Sequence, residues 1–308
     1  MFFEFYLNFF VLRLFFLVFV KKLFPKTQKS VILYSVYLQR GKDVTAKQIR
    51  ERLKASGIEN YTLEIEILIE EICGNFSEDR EYSSEELTLA VEKRCARYPL
   101  QYIIGKWWLA RCEFFVDESC LVPRPDTETV VEIAQKLLPE GATFADLCTG
   151  SGCIAISVLD LRQDTRADAY ELYPSTLEMA KKNAVHNNVW DRFTPVLGDV
   201  LQSDLLGDRK YSAIISNPPY IRTDVIETLE KEAKAEPRAA LDGGEDGLIF
   251  YREIVKSFAK NLEDGGFFLF EIGFDQADDL VRIAKENGFD CEIYKDLGGR
   301  DRAALLRR

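Results

Sequence analysis

Residues 214–221 read IISNPPYI. An apolar run of the kind that forms an inner strand ends in Asn217, Pro218, Pro219 and Tyr220. Proline has no backbone N–H, so this corner presents carbonyl oxygens and few donors, and a group suited to it brings N–H bonds of its own. A neutral –NH2 fits: the Asn217 side-chain oxygen accepts one hydrogen, the Pro218 carbonyl accepts the other, and Tyr220 stacks on the planar group. Such a nitrogen is a feeble nucleophile because its lone pair is delocalised. Gripping both hydrogens turns that lone pair toward an electrophile, and Pro218 and Pro219 hold the carbonyls in place beforehand. Asn217, preceding a proline, is held extended. The alternative is a plain tight turn, since Asn and Pro are turn residues anyway.

The electrophile is expected at a second stretch, FADLCTGSGCIAI (residues 144–156). It runs from strand to glycine-rich turn to helix. Gly150 and Gly152 allow a ligand close to the backbone, and the helix behind them offers free N–H groups. Glu171, nineteen residues past Gly152, closes the next strand and is placed to accept from both hydroxyls of a ribose. The spacing Gly150-x-Gly152-x-x-Ala155 also satisfies the dinucleotide fingerprint. Asp146 separates the two, because a carboxylate there repels a pyrophosphate and attracts an ammonium group. S-adenosylmethionine has an ammonium and no phosphate, so it is the expected cofactor; an Asp that caps the next helix is the alternative. Asp199, with Val200 beside it, follows the third strand and is expected at the adenine amino group.

These residues need strand ends to carry them. Apolar strand candidates are 143–148, 167–171, 193–197, 211–216, 266–272, 290–295 and 303–307, with helical segments at 151–162, 175–187, 247–263 and 276–287. Strand–helix alternation implies a mostly parallel, doubly wound α/β sheet whose ligands bind at the carboxyl ends of strands. Ahead of it, residues 41–98 read as a helical domain. Thr45 caps a helix carrying Ile49 and Leu53, and TLEIEILIEEICG (62–74) reads as helix ending at Gly74. Ser83 to Glu86 has capping-box spacing. Residues 99–120 contain an aromatic and β-branched run around Gly105-Lys106, read as a β-hairpin linker. The sheet domain then occupies 121–308.

Composition narrows the classes. The chain of 308 residues carries a formal charge of −11. Residues 1–50 hold nine Lys/Arg against two Asp/Glu and the remainder 31 against 49, so the body is acidic and no basic footprint for nucleic acid is present. Seven scattered cysteines without a CxxC pair indicate neither a disulfide framework nor a zinc site and fit a reduced, cytoplasmic protein. The one histidine, His186, sits in an amphipathic segment, which argues against a triad or a His-based metal site. Residues 1–40 are unusually apolar, but Glu4, Asn8 and Arg13 interrupt them. An anchor, a docked helix and a dispensable extension are the options, and the last is favoured because the rest reads as complete.

With these stretches assembled, the chain resembles the HemK-type release-factor glutamine methyltransferases over roughly residues 43–308. PLQYIIG (99–105), LVPRPDTE (121–128), DLCTGSG (146–152), SNPPYI (216–221), EPRAALDGGEDGL (236–248), FEIG (270–273) and DLGGRDR (296–302) carry the resemblance. The cofactor turn is shared by many methyltransferases and NPPY by amino-methylating enzymes for DNA, RNA and protein; PRPDTE with NPPY and EPRAAL is narrower. The resemblance implies a helical recognition domain, a Rossmann-like seven-stranded class I methyltransferase domain, and N5-methylation of the glutamine in a release factor's GGQ loop. It further implies that Asn217, Pro218, Pro219 and Tyr220 hold that glutamine. Cys148, Thr149, Gly150, Ser151, Gly152, Glu171 and Asn217 would contact S-adenosylmethionine, and Arg124, Asp126, Thr127 and Glu128 would shape the cleft, with a structural salt bridge as the other role for Arg124 and Glu128. A monomer, with a release factor as protein partner and neither nucleic acid nor metal bound, is expected. Cys148 departs from the family's usual Gly, Glu171 from its Asp, and Tyr173 from a helix-capping Ser. A ribosomal-protein glutamine methyltransferase, a nucleic-acid adenine N6-methyltransferase and a non-catalytic binding module remain alternatives.

Overall fold

The computed structural model describes residues 44–308. The apolar start, and with it the choice between anchor, docked helix and extension, lies outside the described residues. Among these, no helix is long and apolar enough to cross a membrane. The chain divides into two compact units between Ile104 and Gly105.

In the first unit two short strands, β1 (Val44–Thr45) and β2 (Glu81–Tyr82), pair antiparallel. Its described residues also form helices α1 (Ala46–Ala55), α2 (Tyr61–Cys73), α3 (Glu85–Cys95) and α4 (Leu100–Ile104). Thr45 caps α1 as expected, in a reciprocal box with Gln48. The ambiguous run 62–74 is helical: Ile65, Leu68 and Ile69 are buried on one face while Leu63, which an alternating strand would bury, is exposed. Gly74 ends it in the left-handed conformation. One cap differs from expectation. Ser84, not Ser83, accepts from the Leu87 N–H and starts α3.

The second unit opens with the hairpin β3 (Lys106–Leu109) and β4 (Cys112–Phe115). Its turn is Ala110-Arg111, with Ala110 at φ 51°, while Gly105 instead follows α4. Lacking Gly or Asn, that turn carries none of the usual two-residue hairpin signal. The hairpin is more than a linker: the wholly buried Asn183 accepts from the Phe115 N–H (2.7 Å) and donates to the Phe115 carbonyl (3.0 Å).

Seven strands form the main sheet: β5 (Thr143–Leu147), β6 (Arg166–Glu171), β7 (Phe193–Leu197), β8 (Tyr211–Ser216), β9 (Leu262–Glu271), β10 (Asp290–Lys295) and β11 (Asp301–Arg307). Their order is β7-β6-β5-β8-β9-β11-β10, with β5 to β9 parallel and β11 antiparallel to both neighbours. This is the seven-stranded class I methyltransferase arrangement anticipated from the motifs. β9 begins four residues early, at Leu262, ahead of a register shift opposite Tyr211 and Ala213, and β6 and β11 begin one and two residues early, at Arg166 and Asp301. Helix α5 (Glu128–Leu137) precedes β5, and the connections between sheet strands carry α6 (Cys153–Leu161), α7 (Pro174–His186), the short α8 (Lys231–Lys234), α9 (Ile249–Phe258) and α10 (Ala277–Glu286). On one face Ala145, Leu147, Ile214, Phe268 and Phe270 pack with Tyr251, Ile254, Val255 and Phe258 of α9 and Leu280 and Ile283 of α10. The alternate residues Phe144, Ala213, Ile215 and Leu269 are equally buried and face the other side. Neighbouring β5 and β8 are thus covered on both faces and carry their chemistry at the carboxyl ends.

Asp146 is tied to the turn through one of its two oxygens. It is 1 % exposed, and its Oδ2 accepts from the Thr149 hydroxyl (2.6 Å) and the Ala155 N–H (3.2 Å) of α6. Burial pushes its carboxyl up to about 7 despite these bonds. An acid of this kind keeps a proton that the unfolded chain, with an aspartate near 3.8, has released, so raising the pH between these values favours unfolding. Asp146→Asn, which can keep both contacts, should lessen the fall in stability between about pH 4 and about pH 7. Glu271, also pushed up to about 7 by burial, leaves part of that slope in place. Denaturant titrations at stepped pH measure the difference; an unchanged slope refutes the assignment.

Candidate functional site

The turn after β5 is set by three left-handed residues, Cys148 (φ 58°), Gly150 (φ 59°) and Gly152 (φ 83°). At Gly152 the positive φ favours glycine, and a Cβ there would also come within 2.7 Å of Ile156 Cδ1, which would have to turn away. Cys148 bears the strain of a left-handed non-glycine residue, about 1–2 kcal/mol, which is the physical content of its departure from glycine. Glu171 ties the turn to the end of β6: its carboxylate accepts from the N–H groups of Gly150 (3.0 Å), Leu172 (2.9 Å) and Tyr173 (3.0 Å). Burial raises its pKa, and those three bonds oppose the rise.

Above the strand ends lies a cavity of about 260 Å³. Its wall brings together Cys148, Thr149, Gly150, Ser151, Glu171, Asp199, Val200, Asn217 and Pro219. Asp146, Gly152, Pro218 and Tyr220 are not part of that wall. Asp146 lies beneath the turn, where its Oδ2 is used within the protein and its Oδ1 is buried without a hydrogen-bond partner among the described residues. Tyr220 differs from expectation: its ring packs against the core, and its hydroxyl points to Glu271 Oε1 at 3.4 Å instead of stacking in the cavity. Asp199 Oδ1 accepts from the Leu201 N–H (2.9 Å), which leaves its other oxygen for a ligand. Ser151 Oγ is buried in the wall without a hydrogen-bond partner among the described residues, the kind of group a bound molecule satisfies. Together with the glycine backbone and Glu171, it fits a ligand with an amino-acid end and a ribose.

At the opposite end of the wall, β8 delivers Asn217. Ser216 anchors the strand end by donating to the Leu147 carbonyl (2.6 Å). Beyond it, no donor among the described residues reaches the Asn217 side-chain oxygen or the Pro218 carbonyl, although the neighbouring Ile221 and Tyr220 backbones are paired. Two acceptors stay available beside the cavity.

The cleft motifs turn out to bind one another. Arg124 pairs with the buried Glu236, which also accepts from the Val122 N–H (3.1 Å). Asp126 pairs with Arg302 (3.1 Å), Thr127 donates to the buried Glu271 (2.6 Å), and Glu128 accepts from the Ala110 N–H (2.9 Å). Arg124 and Thr127 also line the cavity, as do Cys120, Leu172, Tyr173 and Phe250, which carry no sequence signal of their own. His186 faces Glu113 (3.1 Å) and is absent from the wall. Among the described residues no cluster of metal-binding side chains occurs.

Residues 126–265 match the family described as methyltransferase small domain, and residues 46–105 match the PrmC N-terminal domain. The chain is 38% identical over 266 residues to the release factor glutamine methyltransferase of Geobacter sulfurreducens, covering 82% of this chain and 92% of that one. With the protein of the same name from Clostridium botulinum it shares 34% identity over 272 residues, covering 83% and 95%. Among solved structures, the hMettl16 catalytic domain in complex with the MAT2A 3'UTR hairpin 6 superposes with a TM-score of 0.51 at 15% identity, over 63% of this chain and 75% of that one, a likeness of fold alone. Identity of this extent over most of both chains makes it a member of the release factor glutamine methyltransferase family.

Proposed function

We propose that the protein transfers a methyl group from S-adenosylmethionine to the side-chain amide nitrogen of the glutamine in the GGQ loop of a peptide chain release factor. The observation that carries this reading is the pair of acceptors at Asn217 and Pro218, left without a protein donor beside a cavity built on a glycine turn. A primary amide supplies two N–H groups to such a pair. A carboxylate or an ester supplies none and would leave the acceptors facing oxygen.

The cofactor, when bound, supplies an electrophilic methyl group on a positively charged sulfur. The residues of the chain have the task of orientation. Gly150, Ser151 and Glu171 hold the amino-acid and ribose parts, and Asp199 with Val200 meets the adenine. Asn217 Oδ1 and the Pro218 carbonyl each accept one amide hydrogen, which twists the nitrogen lone pair out of conjugation and stabilises positive charge as it develops there. One of the two hydrogens leaves as a proton once nitrogen has bonded to the methyl carbon, since the protonated N-methyl amide is strongly acidic. No histidine base is called for, in keeping with the place of His186 against Glu113.

Purified protein with methyl-labelled S-adenosylmethionine should label a peptide chain release factor, and Gln→Ala in the GGQ loop should abolish the signal. Label on duplex DNA or free RNA, and none on the factor, would overturn the proposal. Asn217→Ala should lower kcat by on the order of 10²-fold with little change in cofactor affinity, because it removes a contact to the reacting nitrogen. Glu171→Gln should do the reverse, weakening cofactor binding about 10-fold or more through loss of charge-assisted hydrogen bonds; calorimetric titration separates the two.

A further inference from the structure

The NPPY turn leaves the sheet at Asn217, yet its carbonyls must stay in fixed positions to grip two hydrogens at once. One loop runs against its back. Ile221 N–H donates to the Leu241 carbonyl (2.9 Å), Gly243 N–H to the Ile221 carbonyl (2.8 Å) and Thr223 N–H to the Gly244 carbonyl (2.9 Å). Ile221 and Asp242 form a parallel bridge outside the main sheet. Two glycines make this approach possible. A Cβ on Gly243 would stand 2.7 Å from Tyr220 Cα and 2.8 Å from the Pro219 carbonyl oxygen, and one on Gly247 would stand 2.4 Å from the Tyr220 carbonyl oxygen. These are backbone atoms, which cannot swing aside as a side-chain tip would.

Gln276, next to the start of α10, closes the arrangement. Its Nε2 donates to the Tyr220 carbonyl (3.1 Å) and to the Gly247 carbonyl (3.2 Å), so both amide hydrogens are used. Its Oε1 accepts from the Gly273 N–H (2.9 Å), and the side chain is 7 % exposed. A buried amide therefore clips the last residue of NPPY to the glycine loop and to the end of β9.

We infer that the loop 241–248 and Gln276 form a template that sets the NPPY turn, which makes Gly243, Gly247 and Gln276 positioning residues for the acceptors at Asn217 and Pro218. What the turn grips rests on the proposed function; the template itself does not. Two consecutive prolines carry the effect. Each ring fixes its own φ and confines the residue before it, so a displacement at Tyr220 passes on to the Pro218 carbonyl instead of being absorbed. A misplacement of about 1 Å there is enough for a loss of on the order of 10²-fold in rate.

The test compares Gly247→Ala and Gln276→Met with Gly265→Ala, a control glycine that shares a positive φ (+79°) but has open space around it. Crystal structures of the two template variants should show Pro218 to Tyr220 displaced and residues 148–152 in place. On a release factor, both should lose kcat about 10-fold or more while cofactor Kd stays within about twofold, and the control should keep its kcat. The double variant should lose less than the product of the single losses, since both act through the Tyr220 carbonyl. A turn that keeps its position in both variants overturns the inference, as does a control that loses as much kcat as they do. If the wild type fails to methylate the factor while the turn still moves in the variants, the functional reading falls and the template stands.

Discussion

At the carboxyl end of β8 the chain gives up two backbone N–H groups in succession, and the oxygens around them are left without donors beside a cavity. Polar groups in such places ordinarily find partners. Here the shortage is what the surrounding structure maintains: Ser216 holds the strand end, the 241–248 loop holds the turn from behind, and β5 places the glycine turn on the neighbouring strand. Adjacent parallel strands bring both turns to one edge of the sheet.

The charged motifs explain one another through pairing. Residues from LVPRPDTE reach EPRAAL through Arg124 and Glu236, DLGGRDR through Asp126 and Arg302, and FEIG through Thr127 and Glu271. Arg302 also engages Asp296 (3.3 Å) and the Ile272 carbonyl (3.3 Å). Each contact has a buried charged member, Glu236, Arg302 or Glu271, which loses a polar partner if the other side chain is removed. Stretches far apart in sequence therefore occur as a set for a structural reason, and their contribution to chemistry lies in the shape of the wall that carries Arg124 and Thr127.

Much of this was legible in the sequence. The central strands were visible as short apolar runs, and β8, wholly buried, matched its expected bounds of 211–216, whereas the edge strands β7 and β10 are largely uncovered. The glycine turn and NPPY stood out because positive φ and missing donors demand particular residue types. What escaped was whatever depends on packing direction. Asp146 stands at the expected strand end, but that its side chain alternates to the face beneath the turn, with one oxygen on the first turn of α6, shows only in the fold. Tyr220 has the right ring, yet the backbone aims it at the core. The hairpin turn at Ala110-Arg111 lacks the residues that announce one, and Gln276 is an ordinary polar residue until its two carbonyl partners, 29 and 56 residues away, are seen.

Asn183 gives the hairpin a wider meaning. The same buried amide that pairs with both backbone groups of Phe115 donates to the Ser151 carbonyl (2.9 Å), inside the cofactor turn. Strand and turn thus share one rigid peg, and neither can drift without tugging the other. Whatever displaced that turn would be felt along β4, and a pull on that ribbon would be felt at Ser151.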